Sequence, residues 1–255
     1  CGRLRISGKR QVKTLSRRQR KESILALLTR EEIALEALYT ELAAYPAQDV
    51  INALFPALCR TESHLRWRAV SAMGHTVARL ADENMEAARV VMRRFLWSLN
   101  DESGGIGWGA PESMAEAMSL HEILAQEYSH MLISYMREDG EELCQDGNYL
   151  EHPLLQRGLL WGVARLSRCR PHVLLERGAG PDILPYLDFE DAAIRGLACI
   201  AAGNLGLNAA AAVLSHLVSD TSQITLYTEG KFITTSVAEL AKNALAKLNN
   251  LNDAA

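Results

Sequence analysis

The sequence predicts an all-α fold: a right-handed α-solenoid of repeated helix pairs, with a short β-hairpin near the C-terminus. Three observations lead there. Residues 183–206, ILPYLDFEDAAIRGLACIAAGNLG, read as one helix over Ile183–Leu187, an acidic turn, and a second helix. That second helix carries Ile194-Arg195, then the small residues Ala198, Ala201 and Ala202, and closes on Gly203. The same frame recurs in LRWRAVSAMG (65–74), where Arg66 stands eight residues before Gly74, as Arg195 does before Gly203. LQRGLLWGVA (155–164) fits through Leu155-Gln156 and Ala164, and IGWGAPESMA (106–115) through Ile106-Gly107 and Ala115. Finally, apolar residues recur at helical spacing through most of the chain. A lone helix pair cannot bury its apolar face, so repeated pairs stack on their neighbours.

The elements follow in order. Ser16 opens a helix over 16–29. The next, 31–44, puts Ile33, Leu35, Leu38 and Leu42 on one broad face and ends at Pro46. Residues 49–60 carry Val50, Leu54 and Leu58. Thr61-Glu62-Ser63 then supplies capping groups for a helix over 64–80. Residues 84–99 form a long striped helix with Val90, Val91, Phe95, Leu96 and Leu99. A break follows at 100–112, NDESGGIGWGAPE, where Pro111 falls at a position the first turn of a helix tolerates. Helices are expected at 112–120 and 122–137. A polar loop over 138–148 separates them from helices at 153–168, 172–177, 181–187, 190–205 and 208–218. In QITLYTEGKFITT (223–235), apolar Ile224, Leu226, Phe232 and Ile233 flank the turn-like pair Glu229-Gly230, which reads as a β-hairpin. A helix over 236–248 caps the array.

Composition is that of an ordinary globular chain, 48% hydrophobic and 23% charged. No apolar run approaches the ~20 residues that span a bilayer. The five cysteines, Cys1, Cys59, Cys144, Cys169 and Cys199, are widely spaced and form no C-x-x-C pair. They read as reduced thiols, which points to the cytoplasm. The first methionine is Met73, so Val12 is the expected start, and residues 1–11 are expected to be extraneous. Charge is unevenly spread. Residues 1–21 hold 9 basic residues and no acid, whereas the rest of the chain carries 18 basic against 31 acidic. The expected organisation is a basic, disordered arm over 1–21 and a solenoid domain over 22–250. An acidic body argues against nucleic acid, because phosphate binding needs clustered Lys and Arg.

The quoted repeats resemble the HEAT-like repeats of phycobilin (E/Z-type) lyases and related bacterial scaffolds. The resemblance is best over 183–206 and extends over roughly 50–245. NDESGGIGWGAPE together with LQRGLLWGVARL (155–166) also resembles a bacterial family of HEAT-repeat proteins of unassigned function. The resemblance implies an α-solenoid. In such repeats, small residues let helices approach closely and the arginine ties a helix to its neighbour.

Loop 100–112 is the leading candidate site. Asp101, Glu102 and Glu112 bring carboxylates to a glycine-rich turn beside Trp108, and glycines permit close backbone approach. The spacing Gly104-Gly105-x-Gly107-x-Gly109 has no preceding strand and is no dinucleotide fingerprint. Trp67, Trp97, Trp108 and Trp161 fall in the middle repeats, with Trp67 and Trp108 at equivalent positions of the frame. Arg66, Arg68, Arg157 and Arg195 sit at or beside the repeat arginine and are expected to form an internal ladder with acidic neighbours. His121-Glu122 and His130 lack the one-turn spacing of a zinc motif, so no metal and no cofactor is expected.

The reading that follows is a non-catalytic cytoplasmic scaffold. It binds a protein partner in a groove centred on residues 100–112 and 152–161, through Asp101, Glu102, Trp108, Glu112, Trp67, Arg157 and Trp161. The alternative is an enzyme of the same fold, a bilin lyase or isomerase or, less favoured, an alkylpurine DNA glycosylase.

Overall fold

Side-chain caps open some of the helices; at Glu62, within the expected cap Thr61-Glu62-Ser63, no side-chain cap bond forms. Ser16 accepts from the Gln19 N–H, and the Gln19 side chain accepts from the Ser16 N–H. This reciprocal box opens α1 (Arg17–Leu28). The expected disordered arm over 1–21 is therefore helical from Arg17 onward, and Arg20 is held by an ion pair to Asp49 at 2.8 Å. The structure, a computed structural model, describes residues 15–100, 107–138 and 148–253. They fall into two units, one ending at His121 and one starting at Glu122.

The N-terminal unit continues with α2 (Leu35–Leu42), α3 (Ala47–Leu58), α4 (Ser63–Glu83), α5 (Met85–Leu99) and α6 (Ala110–Leu120). The expected helix over 31–44 starts at Leu35 instead. Arg68, buried on α4, explains the delay. Its Nε donates to the Leu28 carbonyl (3.0 Å) and its Nη1 to the Ile33 carbonyl (2.9 Å). Those carbonyls are drawn toward the guanidinium, so 29–34 runs as a turn. On α5, Ala88, Val91, Met92, Phe95 and Leu99 face the core, while Val90, expected on the apolar stripe, points outward.

The C-terminal unit holds α7 (Glu122–Ser134), α8 (Pro153–Cys169), α9 (Pro171–Glu176) and α10 (Gly180–Ile183). A 3-10 turn (Leu184–Asp188) follows, with Pro185, which has no N–H, in its first turn. Then come α11 (Ala192–Leu205), a 3-10 turn (Asn208–Ala210), α12 (Ala211–Leu217), the strands β1 (Gln223–Thr228) and β2 (Lys231–Ser236), and α13 (Val237–Asp253). The strands pair antiparallel, with Thr228 opposite Lys231 and Leu226 opposite Ile233. Glu229 and Gly230 both take positive φ (49° and 83°), the backbone a two-residue hairpin turn demands.

The repeat frame marks the places where helices cross. A Cβ on Gly74 of α4 would fall 2.5 Å from Glu116 Cγ on α6. A Cβ on Gly203 of α11 would fall 2.7 Å from Ala244 Cα on α13. Glycine at the same frame position thus serves the same close approach in both units, and helices α8 and α11 pack in the same succession.

Candidate functional site

In the N-terminal unit the site region lies where α4 meets α6. Gly109 caps α6 with φ 73°, and Pro111 occupies its first turn. Apart from Leu120, α6 is buried along its length, and that burial takes in Glu112, Ser113, Glu116 and Ser119. Glu112 is 5% exposed. The sequence places it beside a groove as a solvated carboxylate; the structure instead packs it inside the unit. Burial pushes its carboxyl up to about 7, against the opposing pull of its own N–H and of the Arg66 guanidinium. Its Oε2 is buried without a hydrogen-bond partner, as is the Ser113 Oγ. A carboxyl in this condition exchanges its proton near neutrality. Trp67 and Trp108 are both half-buried. Trp67 rides on the second turn of α4, whereas Trp108 sits on the turn before α6, so their equivalence in the frame does not extend to the backbone. Asp101 and Glu102 lie outside the described residues.

Further along α4, the half-buried His75 stacks on Tyr39, with ring centroids 4.2 Å apart. Burial and the Arg79 charge lower its pKa, and Glu116 opposes them. Glu116 and the His75–Tyr39 stack had no signature in the sequence, because each acquires its role only when α4 is packed.

In the C-terminal unit, Arg157 and Trp161 are one turn apart on α8. Arg157 binds Asp191 through Nε at 2.6 Å and Nη2 at 2.5 Å. The other oxygen of Asp191 accepts from the Ala193 and Ile194 N–H groups and so caps α11. Arg195 in turn binds Asp220. Trp161 donates its Nε1–H to the Tyr227 carbonyl at 2.8 Å and ties β1 to α8. The expected ladder is therefore present for Arg157 and Arg195. Arg68 reaches carbonyls instead of acids, and Arg66 acts on Glu112 through its charge. The partners Asp191 and Asp220 were not singled out from the sequence, although Asp191 stands four residues before Arg195 and caps the same helix.

Glu122 meets His172 at 2.9 Å and also pairs with Arg170, joining α7 to α9. His121 lies 3.5 Å from Asp82 within the N-terminal unit. Among the described residues no group of three His, Cys, Asp or Glu side chains is placed to hold a metal ion. No described helix is long and apolar enough to cross a membrane.

No protein-family model matches the chain, and no curated protein matches it. Solved structures do. An engineered protein aligns over 96% of this chain and 97% of its own, with a TM-score of 0.57 at 14% identity. A designed armadillo repeat protein aligns over 95% and 99%, with a TM-score of 0.51 at 16% identity. Another, in complex with the peptide (KR)4, aligns over 95% and 98%, with a TM-score of 0.53 at 16% identity. At these identities the likeness is one of fold. The chain is an all-α helical-repeat protein of the solenoid class with one small hairpin.

Proposed function

We propose that this chain is a non-catalytic helical-repeat scaffold that binds a protein partner, engaging a basic, extended segment of it. One observation carries the reading: a helical-repeat fold with an acidic body, 18 basic against 31 acidic residues beyond residue 21. The repeat arginines are spent on internal stacking, so the outward charge is left to the carboxylates. A similar fold, the designed armadillo repeat protein above, holds the alternating basic peptide (KR)4. The contacts proposed within the N-terminal unit are Trp67 and Trp108, half-buried rings of the kind that anchor interfaces. Asp101 and Glu102 are the proposed source of charge for a basic segment. In the C-terminal unit Arg157 is spent on its bond to Asp191 and is not proposed as a contact for a basic segment. Glu112 supports the surface from inside, and Trp161 supports the hairpin through its bond to the Tyr227 carbonyl.

Affinity capture from native extract tests the proposal. One stoichiometric protein should be retained by the wild type and lost with Trp67→Ala or Trp108→Ala variants that remain folded. Retention by both variants would remove the site.

One observation favours the alternative of an enzyme: Glu112 is a buried carboxyl that titrates near neutrality, a property that active sites cultivate. Absorbance of the native protein beyond the aromatic band would support the bilin form of that reading.

A further inference from the structure

Helix α5 presents a second surface of a different kind. Its core face is complete, with Ala88, Val91, Met92, Phe95 and Leu99 buried. On the opposite side, Glu86, Val90, Arg93 and Trp97 follow one another at spacings of four, three and four residues. That is the spacing of a seam made for another helix. Trp97 is 70% exposed and Val90 55%. They are one heptad apart, about 10 Å along the axis at 1.5 Å per residue.

Charge states what would cover them. The helix carries Arg89, Arg93 and Arg94 against one acid, Glu86, and Glu86 already takes both Arg89 (3.5 Å) and Arg93 (2.7 Å). Arg94, one turn before Trp97, has its guanidinium 3.6 Å from the centroid of the Phe55 ring on α3. The ring contact leaves the charge in place, and the exposed Arg94 side chain can meet a carboxylate through its N–H groups. Tryptophan and arginine are both among the residue types enriched at binding hot spots. Long-range repulsion from the acidic body is screened beyond about 8 Å at physiological salt, so the local charge decides the contact.

We propose that the outer face of α5 docks an acidic amphipathic helix of a partner protein, with Trp97 and Val90 as apolar anchors and Arg94 receiving a carboxylate beside Trp97. This surface is separate from the one proposed above, and the partner chemistry is opposite in sign.

The test uses the full chain and two synthetic amphipathic peptides, each with leucines seven residues apart. One has glutamates between the leucines, the other lysines. The glutamate peptide should bind saturably and shift Trp97 emission to the blue. Trp97→Ala should weaken its binding at least about tenfold without moving the melting temperature, because the ring is exposed. Arg94→Gln should weaken it by a similar factor, and Arg94→Lys should recover only part, since lysine lacks the fork. Binding of (KR)4 should be unchanged in all three variants, which separates failure here from failure of the scaffold reading. Equal binding of the lysine peptide, unchanged affinity in Trp97→Ala, or Trp97-dependent binding to anionic vesicles without the glutamate peptide would each overturn the proposal.

Discussion

Arg195 on α11 grips Asp220 with two nitrogens on one oxygen: Nε at 3.0 Å and Nη2 at 2.6 Å from Oδ2. Each side chain is 16% exposed. The guanidinium also donates from Nη1 to the Phe189 and Glu190 carbonyls, so one residue closes the acidic turn before α11 and secures the segment leading to the hairpin. Arg157 and Asp191 repeat the device one repeat earlier.

Breaking the more buried of these two pairs should therefore destabilise the C-terminal unit. Arg195→Ala and Asp220→Ala should each lose about 2–4 kcal/mol, because each strands a mostly buried charge. Their double variant should lose less than the sum, read from denaturant melts as a coupling energy. The pair also sets an acid limit. Burial pushes the Asp220 carboxyl up, but the Ser222 hydroxyl and N–H and the Arg195 charge outweigh it and hold the pKa below the ordinary 3.8. A lowered carboxylate pKa contributes stability above the unfolded value and loses it as pH falls through the folded one. Asp220→Asn should flatten the wild-type loss of stability below pH 3.8.

Glu112 acts in the opposite direction. Its folded pKa of about 7 lies above the ordinary 4.5, so the folded state holds the proton more tightly than the unfolded state. Stability from this group is fully present below pH 4.5, falls as pH rises to about 7, and is flat beyond. Glu112→Gln, neutral at every pH, should remove that slope and raise stability at pH 8 by on the order of 3 kcal/mol. Thermal melts from pH 4 to 8 measure it. An unchanged slope would mean that Glu112 is solvated.

The two crossing glycines give a packing test. Gly203→Ala places a methyl against the α13 backbone at Ala244 and should cost about 1–3 kcal/mol or more. Gly74→Ala meets the Glu116 side chain and, at 2.9 Å, its carbonyl carbon, with a loss of the same order. Both are read from urea midpoints.

Much of the fold was legible in the sequence because stacking repeats itself. Gly74 and Gly203 mark crossings, and Ile224, Leu226, Phe232 and Ile233 around Glu229-Gly230 announce the hairpin. Less was legible where a side chain's surroundings come from distant segments. Arg68 shortens α2 from 35 residues away, through the Ile33 carbonyl. Glu112 looks solvated in a polar glycine-rich loop, yet α4, some forty residues earlier, helps to bury it. Trp97 and Trp161 look alike in sequence. The first ends on a helix face that no other described element needs, the second under a hairpin whose carbonyl it holds.

The hairpin anchor can be weakened alone. Trp161→Phe keeps the ring but removes the donor to the Tyr227 carbonyl and should cost about 1–2 kcal/mol. Hydrogen exchange should rise first in residues 223–236 and leave the N-terminal unit unchanged. Uniform acceleration over both units would contradict an anchor of local reach.

The most direct test of the scaffold reading is a titration of fluorescein-labelled (KR)4 with the intact chain, followed by anisotropy at 0.05 and 0.2 M salt. Saturable one-to-one binding is expected, weakening as salt rises and falling at least about tenfold in folded Trp67→Ala and Trp108→Ala variants. No saturable binding, or equal binding of a glutamate peptide that is insensitive to both substitutions, would contradict it.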